Sequence, residues 1–189
     1  MSTQKTTIFT GAAVAIVTPF RNNQVDYESL SALIERQIEN STDAIVICGT
    51  TGESSTLTDE EHKECIRFCV EKTAGRVPVI AGTGSNDTDY AIALSRYACE
   101  VGADALLLVT PYYNKATPKG LIKNFTAIAD ATNKPIILYN VPSRTGVNIS
   151  LPVYKELAKH DRIVAAKEAS GNISAVAALA EACGDSLDI

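Results

Sequence analysis

The sequence predicts a parallel α/β fold of the (β/α)8-barrel type. First, six short apolar runs alternate with six longer amphipathic segments over the 189 residues. Second, the apolar runs are nearly continuous in Val, Ile, Leu and Ala, as in parallel strands covered on both faces. Third, the first run is not followed by the Gly-x-Gly-x-x-Gly loop of an open dinucleotide-binding sheet. The barrel is therefore favoured over the open doubly wound sheet.

The order of elements follows from these runs. The strands are predicted at residues 12–17, 44–48, 77–81, 105–109, 136–139 and 163–166. The helices are predicted at 27–40, 58–73, 87–101, 120–131, 152–159 and 173–183. Thr58 and Glu61 form a capping box at the start of the second helix, and Gly102 stands at the end of the third. Because residues 186–189 start another strand, we expect six βα units and the beginning of strand seven, joined by right-handed crossovers.

Composition excludes several classes of function. The net charge is −5 with both signs interspersed, so nucleic acid is not expected as a partner. No apolar run is long enough to span a bilayer, and residues 1–7 are polar and lack the apolar stretch of a secretory signal. Five cysteines without a Cys-x-x-Cys pair predict reduced thiols and a cytoplasmic location. Two histidines without clustered partners argue against a metal site.

The most informative residue is Lys167, which directly ends the sixth apolar run. In parallel β/α folds, reactive residues gather at the carboxyl ends of the strands. Desolvation there would lower the pKa of the lysine and make its amine nucleophilic toward carbonyls. The alternatives are a lysine paired with a carboxylate and one that extends to the rim. Glu168 is adjacent, but along a strand its side chain points to the opposite face.

Two other strand ends carry hydroxyl groups. Residues 49–53 read Gly-Thr-Thr-Gly-Glu, and their backbone amides and the hydroxyls of Thr50 and Thr51 could hold a carboxylate. An ordinary turn with a threonine helix cap is the alternative. Tyr113 follows the fourth strand, where a tyrosine could relay a proton or pack at a surface.

The fifth strand ends with Tyr139, which should face the mouth of the barrel, and Arg144 follows on the loop. An arginine fork suits a substrate carboxylate. A packed tyrosine and a solvated arginine are equally compatible with the residues alone.

Taken together, four segments resemble the 4-hydroxy-tetrahydrodipicolinate synthase (dihydrodipicolinate synthase) family of pyruvate-dependent class I aldolases and N-acetylneuraminate lyases. The segments are 49–54, 110–114, 139–145 and 167–171, and the resemblance extends from about residue 9 to residue 189. It implies a TIM barrel that continues well beyond residue 189. We therefore expect residues 1–189 to be a single barrel domain that is incomplete at its C-terminal end relative to the family.

The resemblance also implies roles for the candidate residues. Lys167 would form an imine with pyruvate, and Tyr139 would donate and accept protons beside it. Thr50 would link Tyr139 to Tyr113, whose counterpart in the family enters the site of a neighbouring subunit. Thr51 and its loop would hold the carboxylate of pyruvate.

Arg144 would bind the carboxylate of the second substrate, L-aspartate-4-semialdehyde. The implied reaction is the condensation to 4-hydroxy-tetrahydrodipicolinate in lysine (diaminopimelate) biosynthesis, without a cofactor because the lysine itself provides the electron sink, and in a homotetramer. One alternative is another pyruvate-dependent lyase, such as an N-acetylneuraminate lyase or a keto-deoxy sugar-acid aldolase. Thr51 and Arg144 suit a short dicarboxylic partner better than a sugar. The other alternative is a non-catalytic protein that keeps the barrel scaffold.

Overall fold

A parallel sheet of six strands forms the centre of the protein and curls into an incomplete barrel. The computed structural model describes residues 7–189, so most of the polar segment 1–7 lies outside the described residues. Each strand pairs in parallel with the next one along the sheet. The strands are β1 (Ala13–Ala15), β4 (Ala44–Ile47), β5 (Val79–Gly82), β6 (Ala105–Val109), β7 (Ile136–Asn140) and β8 (Ile163–Glu168). The predicted (β/α) barrel architecture is confirmed.

Helices alternate with the strands as the amphipathic segments predict. They are α1 (Tyr27–Glu39), α2 (Asp59–Thr73), α3 (Thr88–Glu100), α4 (Pro118–Asp130), α6 (Leu151–Leu157) and α7 (Ile173–Cys183). The predicted capping box of α2 is present, because Thr58 accepts from the N–H of Glu61 while the Glu61 carboxylate accepts from the N–H of Thr58. Helix α4 begins at Pro118, earlier than predicted, because the Thr117 hydroxyl caps it.

Three features lie in segments for which the sequence predicts no regular structure. Strands β2 (Phe20–Arg21) and β3 (Gln24–Val25) form a small antiparallel hairpin after β1. Two short 3₁₀ turns, Thr50–Gly52 and Ser54–Thr56, follow β4. A one-turn helix, α5 (Pro142–Thr145), follows β7. The last two features lie at carboxyl ends of strands and therefore shape the mouth of the barrel.

The predicted start of strand seven is present as a single parallel bridge. Asp188 pairs with Ala165. Its N–H donates to the carbonyl of Val164 at 2.9 Å, and its carbonyl accepts from the N–H of Ala166 at 2.8 Å. The chain thus begins to extend the sheet beyond β8 in the order that a barrel requires.

The two faces of the sheet differ in what covers them. The outer face packs against the helices in one large apolar core, in which Phe125, Leu30 and Ile66 are fully buried. The inner face carries a second, smaller apolar cluster that includes Val46 and Ile80. This inner cluster lines a cavity of about 460 Å³, so the inside of the barrel is accessible along the described chain.

All five cysteines lie within the described residues and are free thiols, and four of them are buried. Within residues 7–189, none of the helices combines the length and the apolar character needed to cross a bilayer.

Close packing among the ends of β4, β5 and β6 explains two glycines that resemble a fragment of a nucleotide-binding loop in the sequence. Cys48 has a left-handed backbone with φ of 54°, which turns its carbonyl toward β5. A Cβ atom at Gly82 would lie 2.2 Å from that carbonyl oxygen, and one at Gly84 would lie 2.4 Å from the amide nitrogen of Val109. These glycines therefore allow backbone to approach backbone.

We predict that Gly82→Ala destabilises the protein by about 1–3 kcal/mol, the usual cost of overpacking a closely packed site. The matched control is Gly120→Ala on α4, where a Cβ would meet only ordinary contacts and alanine favours the helix. Urea unfolding followed by circular dichroism gives both free energies of unfolding. Equal stabilities of the two variants would contradict this account of the β4–β5 contact.

Candidate active site

Lys167 and Tyr139 lie side by side on neighbouring strands. In the β7–β8 ladder Tyr139 is the register partner of Lys167, so both side chains project from the same face of the sheet. The Nζ atom of Lys167 lies 4.5 Å from the centre of the Tyr139 ring. Lys167 also lines the inner cavity of about 460 Å³. The structure therefore brings the predicted nucleophile and the predicted proton donor together inside the barrel.

The surroundings of Lys167 shift its protonation equilibrium. Partial burial of the ammonium group lowers the pKa of Lys167 below its ordinary value. The side chain forms no ion pair with a described carboxylate, so no opposite charge offsets this effect. The paired lysine that the sequence left open is therefore not observed within residues 7–189. A larger fraction of neutral amine makes a lysine a better nucleophile toward a carbonyl carbon.

The turn that follows β4 places two threonines at the mouth of the barrel. The turn begins with Thr50 and Thr51. Because the first N–H groups of a helical turn have no acceptor within the turn, the N–H groups of these two residues are left without one there. The hydroxyl of the buried Thr18 donates to the carbonyl of Gly52 at 2.7 Å and fixes the other end of the turn. A turn anchored in this way can present amide and hydroxyl donors to an anion.

Thr50 connects two smaller cavities near this mouth. A cavity of about 30 Å³ is lined by Thr50 and Tyr139 together with Gly49, Gly82 and Gly84. A larger one of about 400 Å³ is lined by Thr50, His62, Tyr112 and Arg144. Four of the six candidate residues, namely Lys167, Tyr139, Thr50 and Arg144, thus line one or more of three cavities on the inner face and at the mouth of the barrel.

Arg144 lies on helix α5 rather than on an irregular loop. This single turn is closed by hydrogen bonds from the N–H groups of Arg144 and Thr145 to the carbonyl of Val141, at 2.9 and 3.1 Å. The helix ends at Gly146, which has φ of 68°. The guanidinium of Arg144 forms no ion pair with any residue of 7–189, so its five donors are available to a ligand in the cavity.

The remaining two candidates are not gathered with the others. The side chain of Tyr113 is 90% exposed, and its backbone has φ of 72°. Thr51 is exposed on the turn. Within the described chain, Thr50 forms no side-chain hydrogen bond to Tyr139 or Tyr113, so the relay that the resemblance implies is not assembled by these residues alone.

His62 lines the cavity of about 400 Å³ but is not one of the predicted catalytic or substrate-binding residues. It lies on α2 among polar residues, yet it is 6% exposed, and its Nε2 donates to the carbonyl of Gly82 at 2.8 Å. Burial lowers the pKa of His62, so the neutral form is favoured. Since the two residues are 20 positions apart, only the fold reveals the contact. Within residues 7–189, no group of three His, Cys, Asp or Glu side chains could hold a metal ion.

Comparison with known proteins identifies the family of this chain. The model of the Dihydrodipicolinate synthetase family matches residues 8–189. The chain belongs to this family. A relative from Lachnoclostridium phytofermentans, a 4-hydroxy-tetrahydrodipicolinate synthase, is 65% identical over 184 residues, which are 96% of this chain and 63% of the relative.

Solved structures agree with the family assignment. The dihydrodipicolinate synthase from Aquifex aeolicus superposes with a TM-score of 0.92 and is 49% identical, over 94% of this chain and 61% of that protein. The chloride-inhibited enzyme from Acinetobacter baumannii, complexed with pyruvate, gives a TM-score of 0.93 at 48% identity, over 96% and 62% of the two chains. The chain therefore spans less than two thirds of the length of these relatives.

We predict that the lowered pKa of Lys167 makes its amine reactive at lower pH than an ordinary lysine. Only the neutral amine reacts with acetic anhydride, so the midpoint of labelling follows the pKa, which is about 10.4 for an unperturbed lysine. Trace labelling over a pH series, read by peptide mass spectrometry, should give a midpoint for Lys167 below that of a reference peptide lysine. A midpoint at or above the reference value would contradict the partial burial described above.

Proposed function

We propose that the complete protein is a 4-hydroxy-tetrahydrodipicolinate synthase, a lyase that condenses pyruvate with L-aspartate-4-semialdehyde through a lysine imine. The observation that carries the proposal is the pairing of Lys167 with Tyr139, in a chain of the Dihydrodipicolinate synthetase family. The names of the similar relatives support the same activity.

The chemistry begins at Lys167. Its neutral amine attacks the keto carbon of pyruvate and, with loss of water, forms a protonated imine that withdraws electrons from the adjacent methyl group. Loss of a methyl proton gives an enamine, whose carbon attacks the aldehyde of the second substrate. Tyr139, beside the imine, donates and accepts the protons of these steps. Cyclisation by the amino group of the second substrate then releases the amine of Lys167.

Two anion-binding groups hold the substrates. The amide and hydroxyl donors of Thr51 and its turn bind the carboxylate of pyruvate. The unpaired guanidinium of Arg144, in the cavity of about 400 Å³, binds the carboxylate of the semialdehyde. A short dicarboxylic pair of substrates fits these two groups, whereas a sugar acid would need further polar partners for its hydroxyls.

The proposed assembly is a homotetramer in the cytoplasm. The backbone of Tyr113 lies in the left-handed region, and its bulky aromatic side chain is 90% exposed. Both features suit a residue that is used by a neighbouring subunit. In that subunit it completes the relay of Thr50 and Tyr139. Five free thiols suit a reducing compartment.

The first test is covalent trapping. Incubation of the complete protein with pyruvate and borohydride should attach one reduced pyruvate to Lys167, located by peptide mass. Lys167→Arg keeps the positive charge but cannot form the imine, so it should give no adduct. An unmodified Lys167 in the native protein would overturn the proposed mechanism.

The second test concerns Tyr139. We predict that Tyr139→Phe lowers kcat by about 10²–10⁴-fold, the usual contribution of a positioned acid or base, because the ring is kept and only the hydroxyl is lost. The measurement is the steady-state rate of condensation, with circular dichroism to verify the fold. Wild-type kcat in a folded variant would exclude Tyr139 as the proton donor.

The third test concerns Arg144. We predict that Arg144→Lys raises KM for the semialdehyde by about 10- to 100-fold, because one charged contact of a bidentate pair is worth about 1.5–3 kcal/mol. KM for pyruvate and the trapping of Lys167 should stay as in the native protein. Arg36→Lys, on the exposed face of α1, is the control. An equal rise in both KM values would place Arg144 outside the semialdehyde site.

A further inference from the structure

Directly behind Lys167 and Tyr139, on the outer face of the sheet, lies a dense network of polar groups around the carboxylate of Glu168. Its Oε1 accepts from the N–H of Ser170 at 2.8 Å. Its Oε2 accepts from the hydroxyl of Tyr154 at 2.9 Å. The side-chain amide of Asn140 donates to both oxygens, at 3.1 and 2.9 Å. Four hydrogen bonds thus converge on one carboxylate group.

Asn140 extends this network to the segment after β7. Its Nδ2 also donates to the side-chain oxygen of Asn148 at 2.8 Å, and its Oδ1 accepts from the N–H of Ile149 at 3.0 Å. Asn140 is 1% exposed, so these bonds are shielded from water. The network therefore joins the ends of β7 and β8 to the segment 148–149 and, through Tyr154, to helix α6.

The charge of Glu168 has no cationic partner among the described residues. All its hydrogen bonds come from neutral donors, and the side chain of the adjacent Lys167 projects from the opposite face. A partly buried carboxylate costs free energy unless its hydrogen bonds are satisfied, and it stabilises a fold less well than apolar packing of the same shape. Burial, together with the negative charge of Glu168, raises the pKa of Tyr154, so this tyrosine stays a donor.

The pairing of β7 with β8, on the other side of which Lys167 and Tyr139 lie, has an irregular register. Ile136 pairs with Ile163, but Ile137 pairs with Ala165, so Val164 is an extra residue on β8. Regular pairing resumes toward the carboxyl end and reaches Asn140 and Glu168 as register partners. Because a slip by one residue moves each side chain to the other face, the register at this end decides whether Lys167 points into the barrel.

We propose that Glu168, acting with Asn140 and Tyr154, is a positioning residue that holds Lys167 and Tyr139 in reactive alignment by fixing the register of β7 and β8 from behind. This inference rests on the proposed function, because its readout is imine formation at Lys167. Glu168 touches neither substrate nor the reacting atoms, so its substitution should affect the rate of the covalent step more than the binding of pyruvate.

The first variant is Glu168→Gln in the complete protein. Each carboxylate oxygen faces an N–H donor, so the amide NH₂ of glutamine opposes a donor in either orientation. We expect the rate of borohydride-trapped imine formation at Lys167 to fall by about 10- to 100-fold, the usual effect of small misplacement of reacting groups. The pyruvate concentration that gives half the maximal rate should stay near its native value.

A compensating variant separates register from loss of stability. In Asn140→Asp combined with Glu168→Gln, the carboxylate and the amide exchange strands, so the bond between positions 140 and 168 is restored with reversed polarity. We expect the double variant to recover a substantial part of the lost rate. Glu156→Gln, at a solvent-exposed glutamate of α6, is the control and should react at the native rate.

The outcomes distinguish the two proposals. Absence of imine in the native protein would reject the proposed function itself. Imine in the native protein with an equal rate in Glu168→Gln, or a double variant no faster than the single one, would overturn the positioning role. If Glu168→Gln does not fold, Tyr154→Phe decides, because it removes one hydrogen bond and keeps the ring. We expect it to slow imine formation at unchanged half-saturation, and a native rate would overturn the role.

Discussion

The parallel pairing of β7 with β8 is the constraint on which the other functional features depend. One register places Tyr139 beside Lys167 inside the barrel, and the same register places Asn140 beside Glu168 outside it. Because side chains alternate along a strand, neither pair can exist without the other. The backbone ladder, the outer polar network and the inner pair of Lys167 and Tyr139 are therefore consequences of a single alignment of two strands.

This alternation also separates two opposite charges that are adjacent in sequence. If Glu168 shared a face with Lys167, the carboxylate would favour the ammonium form and raise the pKa of the lysine. Instead, the sheet lies between them, and the carboxylate is satisfied by neutral donors on the helix side. Partial burial is therefore the main influence on the pKa of Lys167. It lowers this pKa, which is the direction that a nucleophilic amine requires.

Much of this arrangement could be predicted from the sequence, because it follows from local patterns. Apolar runs located the strands, and the rule that strand ends carry reactive groups selected Lys167 and Tyr139. The prediction failed where contacts link distant residues or where a segment lacks periodicity. The bond from His62 to Gly82 spans 20 positions, and the helix that carries Arg144 is a single turn closed by local backbone bonds. No periodic pattern encodes either feature. The network of Glu168 spans 28 positions to Asn140, so only its orientation away from Lys167 was predictable.

The contact between Cys48 and Gly82 has a consequence for how such a sequence can change over evolutionary time. The left-handed backbone at Cys48 costs free energy on its own, and it directs a carbonyl to the space that a side chain at position 82 would occupy. A side chain can enter position 82 only after the backbone at 48 and 49 has moved. That movement would displace the 3₁₀ turn that carries Thr50. A side chain at position 82 would therefore also alter the position of Thr50, which lines two cavities at the mouth of the barrel.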